Sequence, residues 1–253
     1  MIIAFYRDKW LLLIALFLFI GLSADSNYYI ETIYKTSPTI YEVILEQTNE
    51  SNKILISLTF IMLLLSSNND TNENIIGLKK YDLAFKGIKN TLIISLIFLI
   101  LFLIANIFVS LYTHRLDGVF INKWTYLSAL SDLGLDPVVT VSISLLLIFL
   151  RFSFNLYLLY FINTITQNKI WGVWSILFIN FIDFRFYRQF NIMYPWNVLP
   201  IEHTKVTYTA ALVPIEETVI RSSCLISVLY WIILIGAIYI GLVIISKRRS
   251  KKS

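Results

Sequence analysis

"NTLIISLIFLILFLIANIFVSLY", residues 90–112, decides the fold. Its apolar residues follow neither the alternation of a half-buried strand nor the single stripe of a helix on a soluble core. The run contains no charged residue. As a helix rising about 1.5 Å per residue it crosses the roughly 30 Å hydrocarbon core of a bilayer. Backbone N–H and C=O groups in hydrocarbon must be bonded inside the protein, which an α-helix achieves within one segment. Transmembrane strands would be about ten residues long and would alternate apolar with polar positions.

The same character recurs on both sides of this run. Hydrophobic residues make up 57% of the 253 and charged residues 15%, with a mean hydropathy of +0.72. Soluble domains carry about 25% charged residues. The sequence predicts an all-α polytopic membrane protein, one transmembrane domain over 1–253, with about six spans at 10–24, 53–67, 90–112, 138–164, 170–186 and 223–246. The first run follows Arg7 and Lys9 and ends in "LSADSN", which resembles a signal-peptide cleavage region. It is read as a span, which completes an even helix count. The second run is short, and would either cross or re-enter; re-entry would reverse everything after it.

Lys and Arg set the orientation. With both termini cytosolic, the inside holds Arg7, Lys9, Lys79, Lys80, Lys86, Lys89, Lys169 and the basic tail "SKRRSKKS". That tail reads as a positive-inside anchor and not as a nucleic-acid contact. The loop 25–52, acidic through Asp25, Glu31, Glu42, Glu46 and Glu50, then lies outside. So does 185–222, where Pro195, Pro200 and Pro214 interrupt the apolar stretches "FYRQFNIMYPW" and "YTAALVPIEETVI". This segment is expected to form short re-entrant helices before the last span. The expected location is a cell membrane, crossed several times. High Ile, Asn and Lys usage suits an AT-rich genome and hence a bacterial cytoplasmic membrane.

Chemistry-bearing residues are few. "EETVIR", residues 216–221, resembles the opening of the motif of CAAX-processing intramembrane proteases. Those enzymes need histidines further along, whereas His114 and His203 both precede Arg221. The plainer reading is a helix start, with glutamates favoured by the helix dipole and Arg221 four residues after Glu217. Cys224 is the single cysteine, so no internal disulfide forms. No catalytic, cofactor-binding or metal-binding residue is assigned. Arg151 is the exception to the apolar pattern of its span, and a charge at mid-bilayer costs about 2.5–3.5 kcal/mol on insertion scales. It would either snorkel towards headgroups or pair with Asp183 on the fifth span, with Asn155, Asn163 and Asn180 adding hydrogen bonds. Asn106 is a polar packing residue of the third span.

Between the second and third spans stands "GLKKYDLAFKGIKN", basic and amphipathic. With it, the layout of the whole chain resembles the membrane subunits of ABC-type exporters, the six-helix type-2 permease superfamily that includes peptide-export and bacteriocin-immunity permeases. The shared features are size, cytosolic termini, that first cytosolic loop and the semi-apolar external segment before the last span. The resemblance implies a coupling helix docked on a separate ATP-binding-cassette ATPase, through Lys79, Lys80, Tyr81, Asp82, Phe85 and Lys86. It also implies pairing with a second permease copy or paralogue, ATP and Mg held by the partner subunit, and a peptide or other amphipathic cargo. Two alternatives stay open: a non-transporting membrane partner (immunity, sensor or assembly protein) and a CAAX-type intramembrane protease.

Overall fold

The computed structural model describes residues 9–35, 37–49, 82–113, 136–189 and 217–249. All secondary structure among them is helical: α1 (Lys9–Tyr34), α2 (Ile40–Asn49), α3 (Asp82–Tyr112), α4 (Pro137–Thr166), α5 (Lys169–Gln189) and α6 (Glu217–Arg249). Among the described residues four helices are long and apolar enough to cross a membrane, over Leu12–Thr32, Gly87–Tyr112, Pro137–Thr166 and Cys224–Ile245. The apolar part of α5 is shorter, Ile170–Phe181. The expected span at 53–67, and most of the segment expected to re-enter before α6, lie outside the described residues.

The side chains are sorted as lipid, not water, would sort them. On α3, Leu92, Leu96, Ile100, Ile104, Ile107, Phe108 and Leu111 are exposed, while Thr91, Ser95, Asn106 and Ser110 are buried beside Phe98 and Phe102. A helix on a water-soluble core would present the opposite arrangement. Exposed apolar residues also cover α5 (Ile170, Trp171, Trp174, Phe178, Phe181) and α6 (Leu225, Leu229, Ile232, Ile233, Ile240, Ile244). The chain is therefore a multi-pass membrane protein built from helices.

Local sequence sets the helix ends. Asp136 caps α4, its Oδ1 accepting from the Val138 and Val139 amides at 2.7 and 3.3 Å, with Pro137 in the first turn where its missing N–H is no loss. At the far end Gln167 adopts a left-handed conformation (φ 53°) and its amide donates to the Asn163 carbonyl, which closes the helix. Asn168 Oδ1 then accepts from the Ile170 amide and opens α5. The turn Gln167–Asn168 thus folds α5 back along α4.

Pairwise contacts give the directions. Phe19 meets Phe102 edge-on at 5.8 Å, and four residues further along both helices Ser23 meets Asn106, so α1 and α3 are parallel. Phe98 meets Phe152, and Gly87 lies under Tyr157 and Tyr160, so α3 and α4 are antiparallel. Trp231 packs on Phe154 and Gly241 on Phe161, so α6 runs parallel to α4. Helix α4 is the centre of the bundle: it touches α2, α3, α5 and α6, with an unbroken buried stretch over Arg151–Tyr157.

Two glycines distinguish tight from open packing. A Cβ at Gly172 would run into Asn163 Oδ1 and approach Leu159 Cδ1 to 2.8 Å, whereas a Cβ at Gly236 would meet nothing within 4 Å. Gly172→Val is expected to destabilise the bundle by about 1–3 kcal/mol through overpacking. Gly236→Ala is expected to be neutral or to stabilise by up to about 1 kcal/mol, through helix propensity alone. Thermal unfolding in detergent checks both, and equal effects would contradict this packing.

Candidate functional site

The second helix departs from the sequence-based expectation of an acidic external loop over 25–52. Helix α1 does not stop at 24 but continues to Tyr34, and residues 40–49 turn back as α2. The sequence explains the turn: Pro38 and Thr39 interrupt the helix, and Lys35 takes a left-handed conformation (φ 53°). Thr39 and Glu42 then form a capping box. The Thr39 amide donates to Glu42 Oε2 at 2.8 Å, and the Glu42 amide donates to Thr39 Oγ1 at 3.3 Å. From that cap α2 descends beside α1, and Gln47 reaches Asn106 at the level of Ser23. Val43, Ile44 and Leu45 are buried, and so are Glu42, Glu46, Gln47 and Thr48. The helix is inserted into the bundle against α1, α3 and α4.

Asn106 is the hub of the polar layer this creates. Its Nδ2 donates to the Phe102 carbonyl (2.9 Å) and to Gln47 Oε1 (3.2 Å), and its Oδ1 accepts from Ser23 Oγ (3.1 Å). Helices α1, α2 and α3 are thereby tied at one point. Ser26 and Asn27 of α1, Ser110 of α3 and Ser144 of α4 are also buried.

A charged position stands apart from this hub, on α4. Arg151 is 1% exposed. Its Nη2 donates to Asn180 Oδ1 of α5 at 3.3 Å, and its guanidinium carbon lies 6.0 Å from the Trp231 ring centroid of α6. That distance is at the edge of a cation–π contact. Arg151 thus faces the bundle interior and bridges the two helices that flank α4. Asp183 stands three residues beyond Asn180 on α5; its side chain is outside the described ones. Asn155 is buried on α4, one turn from Arg151.

The remaining sequence-predicted positions fall elsewhere. Asp82, Phe85 and Lys86 lie in the first turns of α3, which runs unbroken to Tyr112, so this part of the amphipathic loop is continuous with the span. Phe85 is 62% exposed. Lys79, Lys80 and Tyr81 lie outside the described residues. Glu217–Arg221 form the first turns of α6. Among the described residues no three His, Cys, Asp or Glu side chains converge as metal ligands. Compared with protein-family models, curated proteins and solved structures, the chain has no match.

The sequence places the acidic residues of α2 in an external loop, because acidic residues outside an apolar run look alike whether they face water or a bundle interior. Thr39-x-x-Glu42 ahead of an apolar pair was the local signal of a helix.

Two outcomes follow. In a Cys224→Ser background, a membrane-impermeant maleimide should label Lys35→Cys readily and Thr48→Cys slowly; equal labelling would mean that α2 is not inserted. A double-mutant cycle of Asn106→Ala and Gln47→Ala should show a coupling of about 0.5–1.5 kcal/mol in thermal unfolding.

Proposed function

We propose that this chain is the transmembrane permease subunit of an ATP-driven exporter that moves a peptide or other amphipathic cargo. The observation that carries it is the inverted interior: apolar side chains face outward, while Arg151, Glu42, Glu46, Asn106 and their neighbours are buried within the bundle. Ionisable groups at membrane depth are unfavourable to insert and mark pathways for polar groups. The parallel directions of α1 and α3 support a return crossing between them, and so the expected count of spans and cytosolic termini. Helix α3 begins at the end of the bundle where α4 and α6 finish. Lys247, Arg248 and Arg249 stand in the final turn of α6, and Phe85 and Lys89 are exposed on the first turns of α3. The positive-inside rule makes that end cytosolic, where an exposed aromatic on a basic helix start suits a docking contact with an ATPase.

Affinity purification from native membranes in mild detergent tests this. An ATP-binding-cassette ATPase should be recovered at near-equal stoichiometry, with a second permease copy or paralogue. Phe85→Ala should weaken that recovery by about 1.4 kcal/mol, tenfold, as truncating an aromatic anchor does. Trp174→Ala, on the exposed face of α5, should leave it unchanged. Recovery of the chain alone, under conditions where other such complexes survive, would sink the proposal in favour of a non-transporting membrane partner.

A further inference from the structure

Helices α1 and α3 run parallel, so the chain between Tyr34 and Asp82 returns along the bundle. Helix α2 begins that return. It follows the outer end of α1, packs on α1, α3 and α4, and brings Gln47 level with Ser23 and Asn106. It ends at Asn49, about 3 Å further down at 1.5 Å per residue. The apolar part of α3 begins at Gly87, about 28 Å below Asn106 on the same rise. About 25 Å of the crossing therefore remain below α2, less than the roughly 30 Å of a whole hydrocarbon core.

The face of α3 that α2 covers continues below it. Ser95 lies about three turns before Asn106, hence on the same side of the helix. It is 0% exposed, and its Oγ has no hydrogen-bond partner. Ser144, Ser153 and Ser175 each donate to the carbonyl four residues back. The Ser95 hydroxyl does not, and a buried hydroxyl without a partner is unfavourable. Thr91, one turn lower, is buried as well, and so are Phe19 and Ala15 on α1. Below the end of α2 the bundle thus keeps a buried face with one polar group unmatched.

The sequence supplies an occupant of the required length. "KILISLTFIMLLLSS", residues 53–67, is too short to cross a bilayer alone. As a helix it covers about 22 Å, close to the distance that α2 leaves. Its polar residues away from the ends are Ser57 and Thr59. With residue 47 opposite 106 in antiparallel helices, residue 58 stands opposite 95, and Ser57 falls beside Ser95.

We infer that residues 53–67 continue the line of α2 and cover the inner halves of α1 and α3, with Ser57 as the partner of Ser95. The return crossing is then made in two pieces, α2 in the outer part and 53–67 in the inner part. Their join lies in "NESNK", residues 49–53. It falls at membrane depth, where such a break is tolerated because protein covers it. This crossing is independent of the exporter reading.

Cysteine cross-linking tests it, in the Cys224→Ser background and with a protease site inserted after Asn72. Under mild oxidation Ser57→Cys with Ser95→Cys should form a disulfide that holds the two proteolytic fragments together, since the Cα atoms must lie within about 7 Å. Ser57→Cys with Ser110→Cys, near the outer end of α3, should not. Leu58→Cys with Ser95→Cys replaces the first pair should that one fail to fold. In right-side-out vesicles a membrane-impermeant maleimide should label Ser51→Cys at least about tenfold more slowly than Lys35→Cys, because thiolates form poorly away from water. Thr71→Cys should be labelled only after the vesicles are opened. No disulfide from either pair, or Ser51→Cys labelled as fast as Lys35→Cys, overturns the two-piece crossing. Labelling of Thr71→Cys in sealed vesicles makes 53–67 re-entrant and overturns it as well. A disulfide between two copies through Ser95→Cys alone assigns the face to a second chain, which also overturns it.

Discussion

Hydrocarbon offers no hydrogen-bond partner, so a polar group at membrane depth must find one within the protein. That constraint sorts the polar residues of this bundle by how many groups each brings. A hydroxyl brings a single donor, and its own helix can accept it. Ser144 donates to the Thr140 carbonyl, Ser153 to Phe149, Thr164 to Tyr160 and Ser175 to Trp171. Each of these bonds stays within one helix and ties no two elements together. A carboxamide brings more than one helix can satisfy. Asn106 and Asn180 each spend one N–H on the carbonyl four residues back, and their remaining groups reach other helices. Ser23, Gln47 and Arg151 each meet such a carboxamide on another helix, and these positions mark where the bundle is fastened.

The apolar runs were legible because lipid-facing surfaces need no partner to be recognised. The segments expected at 138–164 and 170–186 are helical as α4 and α5; α4 is apolar over a membrane-crossing length, whereas the apolar part of α5 is Ile170–Phe181. Where the sequence reading fell short, it did so in one direction: helices outlast their apolar stretches. Helix α1 continues past 24 through Ser26, Asn27 and Ile30, because those residues keep the helical spacing of Ala15, Phe19 and Ser23 and face the same neighbours. Hydropathy averages over faces and registers only that the run has become polar. The same averaging hid α2, whose polar and apolar residues are both buried. Arg151 was legible as an anomaly, since a single charge in a span stands out; its Asn180 contact depended on the turn at Gln167–Asn168, which sets the register of α5 on α4.

The bundle's elements are not held equally. Between membrane helices the hydrophobic effect contributes little, because lipid tails are as apolar as the side chains they would replace; close packing and interhelical hydrogen bonds hold them together. Around α4 the packing is dense: Phe98 on Phe152, Phe154 on Trp231, Gly172 against Asn163, Gly241 against Phe161. Helix α2 has ten residues and cannot span. Its cap is internal to itself, through Thr39 and Glu42, and so would survive displacement. On its inner side Gln47 accepts from Asn106 of the frame. A helix that carries its own cap keeps that cap whether or not its neighbours are in place.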